Sequence, residues 1–373
     1  MSLRVRIADA VDQRVRRALK VVPEPPPSET KLKEPSAVPN YTELARALST
    51  PAKVGPRGTE SLQVEYSMAY SWEYNASRLD LRALYEKSKD LMWNARTLAW
   101  STDVDPQSEC VPDAMNPIYG SALWRKLDAA GKIPELRQHI ASYLISNFLH
   151  GEQGALLATA QIVNCAPGPD AKLYAAAQVM DEARHVEAYD RYLRDKIELV
   201  YPITKPLKTL LDAILTDSRW DMKYLGMQIM VEGIALAAFG LIHQSANEPL
   251  IREITERIMQ DESRHVAFGV LSLKDVYRDM PENERRDRED FIVESSMLMR
   301  DRFLGQDVWD RFGLPQKECQ EAADQSEMMQ LFRTLLFSKI VPNVKRLGLL
   351  TPRVRQGFAD LGVLHFESLA ESA

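Results

Sequence analysis

The chain has 373 residues, 45% of them hydrophobic and 27% charged, an ordinary globular balance over a length that can bury a sizeable core. Its net charge of -6 gives no reason to expect nucleic acid or an anionic membrane surface as a partner. Three widely spaced cysteines, Cys110, Cys165 and Cys319, argue against a disulfide framework and fit a cytoplasmic, reducing setting. No apolar run approaches the roughly 18 residues of a membrane span, and no secretory segment follows the first residue.

Residues 1–60 read as an arm and a linker. Leu3, Ile7, Val11, Val15, Ala18 and Val22 recur at helical spacing among Arg4, Arg6, Arg14, Arg16, Arg17 and Lys20. Asp9 and Asp12 interrupt that basic character and disfavour an organelle transit peptide. A proline-rich tether follows, from Val22 through Pro23, Pro25, Pro26 and Pro27. The body is expected over 61–373.

From there the pattern is helical. Ala, Leu, Met, Glu, Lys and Arg dominate, with apolar residues three or four apart. The spacing predicts helices near 80–94, 118–130, 134–149, 150–165, 170–198, 205–216, 219–245, 248–278, 284–305 and 325–346. Alternating strand-like runs bounded by Asn-Gly or Asp-Gly are absent, and Pro/Gly clusters fall between the helices. The expected fold is all-α.

Two segments carry the chemistry: Asp181-Glu-Ala-Arg-His185 and Asp261-Glu-Ser-Arg-His265. A Glu and a His three residues apart share one helix face and can reach one metal ion. Upstream of each lies a glutamate in apolar surroundings, Glu152 and Glu232. The separations match: 182 − 152 = 30 and 262 − 232 = 30. The second set is offset from the first by 80 at all three positions: 232 − 152, 262 − 182 and 265 − 185. One helix pair is therefore repeated with its polar residues in register. Packed antiparallel, the two pairs would point four glutamates and two histidines at one another, as in ferritin-like two-metal proteins. Buried without cations such a set would protonate, whereas two divalent ions would neutralise it. Oxygen and nitrogen donors suit iron or manganese and exclude a zinc–thiolate site.

Asp181 and Asp261 have a plausible role as well. A ligating histidine donates its other N–H to a carboxylate. Across the bundle, Asp261 is placed to serve His185 and Asp181 to serve His265. Arg184 and Arg264 would offset the added negative charge. Tyr189, one turn after His185, falls near one metal position or in the bundle core. His139, His150 and His243 read as surface or capping histidines, and Glu86 as a surface charge.

These residues resemble the ferritin-like di-iron oxidase and oxygenase superfamily, which includes the radical-generating subunit of class I ribonucleotide reductase, bacterial multicomponent monooxygenase hydroxylases, soluble acyl-carrier desaturases and arylamine N-oxygenases. The resemblance covers roughly residues 80–280. It implies Glu152, Glu182, His185, Glu232, Glu262 and His265 as ligands, with Glu182 and Glu262 as bridges. The chain departs from individual subfamilies. Leu236 stands where the hydroxylases carry a threonine, and Ile258 where arylamine N-oxygenases carry a seventh, histidine ligand. Tyr189 matches the radical tyrosine of the reductase subunit, but residues 365–373 lack the tyrosine of its docking tail.

The resemblance implies an oxygenase or oxidase with two iron ions, or manganese or a mixed Mn/Fe pair, that activates dioxygen and oxidises a C–H or N–H bond. The apolar neighbours of Glu152 and Glu232 suggest a small, largely apolar organic substrate. With no flavin, nicotinamide or iron–sulfur motif in view, electrons are expected from an external reductase or ferredoxin. Many relatives are homodimers, and the same assembly is expected here. A radical-storing reductase subunit and a ferroxidase or iron-storage protein are the alternatives.

Overall fold

The computed structural model of the protein describes residues 60–300 and 302–368. The arm and proline-rich tether expected over 1–60 lie, but for the last residue, outside the described residues. Among those residues the chain forms helices and turns, with no strand element. Eight helices make up the body: α1 (Leu79–Asp90), α2 (Ala122–Ala129), α3 (Ile133–Cys165), α4 (Pro169–Tyr192), α5 (Lys205–Thr216), α6 (Trp220–Ser245), α7 (Pro249–Leu273) and α8 (Glu282–Arg300). Short helices follow at Gln306–Arg311, Gln316–Gln325, Glu327–Leu335, Ile340–Arg346 and Pro352–Asp360.

The core is a ferritin-like bundle of α3, α4, α6 and α7. α3 packs on α4, α6 on α7, and α4 on α7, while α1 lies against α4 and α7. Local chemistry sets the boundaries. Proline occupies the first turn of α3, α4, α5 and α7, where its missing N–H costs no hydrogen bond. The Glu248 carboxylate caps α7 by accepting from the Leu250 and Ile251 amides at 2.6 and 2.7 Å. Gly154, in mid-helix, lets α5 approach α3: a Cβ there would lie 2.5 Å from Leu211 Cδ1.

Several boundaries differ from the sequence expectation. The segments predicted at 134–149 and 150–165 are one continuous helix, because Gly151 lies inside a bundle that supplies packing on both sides of it. The segment predicted at 325–346 is broken: Ser326 accepts the Met329 amide and starts a new helix, and the chain turns again before Ile340. One helix does have the length and apolarity of a membrane span, which the sequence expectation did not allow for. Trp220–Ser245 reaches a mean hydropathy of 1.8, but 78% of that window is buried in the protein, as befits the central helix of a bundle.

Candidate metal centre

Each helix of the bundle delivers its polar residues to the same level. Glu152 comes from α3, Glu182 and His185 from α4, Glu232 from α6, and Glu262 and His265 from α7. All six are buried. Donor atoms of Glu152, Glu182, His185 and Glu262 lie within 4.8 Å of one another, and so do those of Glu182, Glu232, Glu262 and His265. Glu182 and Glu262 belong to both groups, so the geometry offers two adjoining cation positions that share two carboxylates.

The imidazoles face inward through Nδ1. His185 Nδ1 lies 3.2 Å from Glu152 Oε2 and 3.3 Å from Glu262 Oε1. His265 Nδ1 lies 3.2 Å from Glu182 Oε1 and 3.3 Å from Glu262 Oε2. Glu182 Oε2, both Glu262 oxygens and His265 Nδ1 are buried without a hydrogen-bond partner. Unpaired donor and acceptor atoms in a protein interior are costly, and here they converge on one point. A pair of cations fits that point: it supplies the missing partners, and hard carboxylate oxygens with imidazole nitrogens are the donors that iron and manganese take.

The other ring nitrogens face outward. His185 Nε2 is 3.0 Å from Asp261 Oδ2 and His265 Nε2 is 3.3 Å from Asp181 Oδ2, each aspartate lying on the opposite helix. Such a bond puts the proton on Nε2 and leaves the Nδ1 lone pair for a metal. Arg184 is hydrogen-bonded to Asp181 and reaches Asp261 at 3.4 Å; Arg264 is hydrogen-bonded to Asp261. Trp93, from the turn after α1, was missed by sequence reasoning. Its indole Nε1 donates to Asp261 Oδ2 at 2.7 Å, and its ring stacks against His185. Nothing in the local sequence around Trp93 marks it; only the fold brings it in.

Electrostatics explains how the cluster tolerates burial without metal. Burial pushes the Glu152 carboxyl up to about 8, with the Glu262 charge adding to the rise. Burial and the charges of Glu262 and Glu182 likewise hold Glu232 well above the usual carboxylate range. For Glu262 burial acts in the same direction, but the charged His265 beside it wins and holds the carboxyl below its usual range. Burial opposes protonation of His265, yet the charges of Glu182 and Glu262 push it up to about 10. His185 is raised in the same way, chiefly by Glu152. Protons thus occupy the place that cations would take, and cation binding must displace them.

The remaining candidates fall as follows. Tyr189 is wholly buried, its hydroxyl without a hydrogen-bond partner, beside Phe148 and Phe239 at ring separations of 5.9 and 6.0 Å. Ile258 and Leu236 sit in the bundle, Ile258 fully buried. Glu86 is exposed and pairs with Lys89. His139 is not a surface residue: it is buried, with Nδ1 2.7 Å from Tyr201 Oη. His150 Nε2 lies 2.8 Å from the Tyr201 carbonyl. Both reach from α3 to the α4–α5 connection, whose loop needs interior polar partners that sequence spacing does not reveal. His243 contacts the Arg252 carbonyl at 3.2 Å.

Fold and site together define a helical-bundle oxidoreductase of the two-metal carboxylate class. The chain belongs to the p-aminobenzoate N-oxygenase AurF family, which it matches over residues 75–348, a span that includes all six inward-facing residues. It is therefore an oxygenase or oxidase of the ferritin-like di-iron superfamily, and the radical-storage and iron-storage alternatives are not favoured. No curated protein matches the chain. Among solved structures it is similar to an R2-like ligand-binding oxidase with aerobically reconstituted metal cofactor after photoconversion, with a TM-score of 0.48 and 17% identity over 71% of this chain and 92% of that one. The same oxidase with aerobically reconstituted Mn/Fe cofactor after a long soak gives a TM-score of 0.47 and 18% identity over 71% and 92%.

Proposed function

We propose that the protein binds two iron ions, with manganese as the replaceable alternative, and uses them to oxidise an N–H or C–H bond of a small aromatic substrate. The carrying observation is the set of buried, unpartnered donor atoms on Glu182, Glu262 and His265. One ion would be held by Glu152, Glu182, His185 and Glu262, the other by Glu182, Glu232, Glu262 and His265. When bound, the ions supply the dioxygen chemistry that the side chains lack. The protein's part is to orient and to exclude water. Asp261 and Asp181 hold the imidazole tautomers, while Phe148, Tyr189 and Phe239 form a dry aromatic wall beside Glu152 and His185.

Arg302 supports a substrate with an anionic group. It is buried, its Nε has no hydrogen-bond partner, and Nη1 meets the Met299 sulfur at 3.4 Å. Its guanidinium lies over the Phe303 ring, and Phe303 in turn contacts Phe148, one turn from Glu152. No carboxylate among the described residues forms an ion pair with it, and burial pushes its pKa down to about 10. A buried guanidinium without an acid partner gains about tenfold to a hundredfold in affinity for a carboxylate ligand over its neutral amide. The family is named for p-aminobenzoate, an aromatic amine with a carboxylate.

The same reading makes the protein a cytoplasmic homodimer that receives electrons from an external reductase or ferredoxin. Its three cysteines are free and buried, and Tyr70, Trp72 and Tyr74 are exposed aromatics suited to a protein contact. The test is to reduce the metal-loaded protein anaerobically, add oxygen with p-aminobenzoate or p-aminobenzamide, and measure both binding and products. The expected result is an oxidised product and a preference for the carboxylate that Arg302→Gln abolishes. Oxygen uptake with no product from either compound, or an unchanged preference in Arg302→Gln, contradicts the substrate reading.

A further inference from the structure

The 80-residue repeat allows each half of the centre to be checked against the other. Four residues before Glu232 stands Gln228; four before Glu152 stands Phe148 (228 − 148 = 80). Four before Glu182 stands Gln178; four before Glu262 stands Ile258 (258 − 178 = 80). Four after His265 stands Gly269; four after His185 stands Tyr189 (269 − 189 = 80). The ligand-type residues repeat, whereas these three neighbouring positions do not.

The differences are coordinated. In the Glu232 half, Gln228 and Gly269 meet: a Cβ at Gly269 would lie 2.4 Å from Gln228 Cβ, so only glycine leaves room for this glutamine. At the matching positions of the Glu152 half, Phe148 and Tyr189 pack ring to ring at 5.9 Å. The helix before Glu232 is π-helical over Leu225–Val231, while the matching stretch before Glu152 is regular α-helix. The wider turn sets Gln228 beneath the centre. Gln178 and Gln228 are both wholly buried. Gln178 Nε2 donates to Glu182 Oε1 at 2.8 Å, to Gln228 Oε1 at 3.1 Å and to Glu232 Oε1 at 3.4 Å. Gln228 Nε2 returns a bond to Gln178 Oε1 at 3.2 Å.

We propose that the Gln178–Gln228 amide pair pre-sets the carboxylates of the Glu232/His265 half and so makes the two metal positions unequal, with this half binding its ion more tightly. The inference rests on the two-metal reading above. The amides are neutral donors, so they orient a carboxylate without neutralising the charge that a cation needs. Glu152, by contrast, has His185 as its hydrogen-bond partner and hydrocarbon at the neighbouring turn. It must be ordered by the ion itself, and that ordering weakens binding.

The test is titration of Mn(II) into the metal-free full-length protein, followed by calorimetry and by electron paramagnetic resonance. Two resolved steps are expected. Gln178→Ile, which gives the second half the residue that the first half carries at Ile258, should weaken the tight step by about tenfold to a hundredfold and leave the weak step unchanged. Gln228→Met keeps the size without the donor and should do the same, should Gln178→Ile fail to fold. Melting temperature and circular dichroism identify a folding defect. Equal steps in the parent protein, or unchanged steps in folded variants, overturn the proposal alone. A parent protein that takes up no metal overturns the two-metal reading and this proposal with it.

Discussion

The Glu152/His185 half and the Glu232/His265 half share one pattern of inward-facing donors with outward aspartate–arginine pairs, yet they differ at three positions one turn away. Both halves put a Glu, a Glu-x-x-His and a crosswise aspartate at equivalent positions. Around that shared frame, one half is walled by Phe148 and Tyr189 and the other by Gln178, Gln228 and Gly269. Trp93 adds a second asymmetry, because Asp261 receives an indole N–H in addition to the His185 bond and its arginine contacts. Metal-site geometry constrains the first layer tightly, since misplacing one donor spoils the site. One turn away the two halves diverge at Phe148/Gln228, Ile258/Gln178 and Tyr189/Gly269.

The largest expected effect separates shared from private ligands. Glu182→Ala or Glu262→Ala removes a carboxylate common to both positions and should abolish binding of both ions. Glu152→Ala or Glu232→Ala removes one belonging to a single position and should leave one ion per chain. The fold should survive in all four. Without Glu152 or Glu232, both pushed towards the protonated form, the metal-free melting temperature should stay level or rise, whereas Glu182→Ala or Glu262→Ala takes a negative partner from the charged His265 and should lower it. Two ions retained in either Glu182→Ala or Glu262→Ala would show that the bridges are misplaced.

A second effect follows from the protons. Glu152 and His265 have folded pKa values raised above the ordinary 4.5 and 6.5, to about 8 and about 10. Their contribution to metal-free stability is complete below the ordinary values and is lost as the pH rises through the raised ones. Glu262 is held low and titrates beneath this window. The metal-free protein should therefore melt at falling temperature as the pH climbs from 6.5 towards 10, while metal affinity climbs over the same range. Thermal melts of metal-free and loaded protein across that range check it; parallel curves would contradict the proton–metal exchange.

The smallest effect compares the two aspartates. Asp261→Asn and Asp181→Asn should each keep the metals but lose about tenfold to a hundredfold in metal affinity or activity. Asp261→Asn should lie at the severe end, because the Trp93 indole and Arg264 also depend on that carboxylate. Equal losses would mean that Trp93 adds nothing; no loss in either would make both aspartates merely structural.

Much of the site is legible in the sequence. Burying a charged side chain in an apolar helix is costly unless something neutralises it, so Glu152 and Glu232, each 30 residues ahead of a Glu-x-x-His, point to a metal. The helix limits are less legible. The break expected between 149 and 150 is absent, because tertiary packing carries α3 straight on past Gly151. Gln178 and Gln228 could have been found: each is polar in an apolar run, four residues before a candidate ligand. Trp93 and Arg302 could not, because each reaches its neighbours from a segment with no local pattern. His139 and His150 escape sequence reasoning for a related reason, since their partner is Tyr201, from a loop far along the chain.

The central claim is that two cations belong where the unpartnered atoms of Glu182, Glu262 and His265 converge. The most direct measurement is elemental analysis of the full-length protein after anaerobic reconstitution with Fe(II) or Mn(II) and removal of loosely held metal. The account predicts close to two ions per chain in the parent protein and none in Glu262→Ala. A parent protein that retains only zinc, or under half an equivalent of any metal, would contradict it.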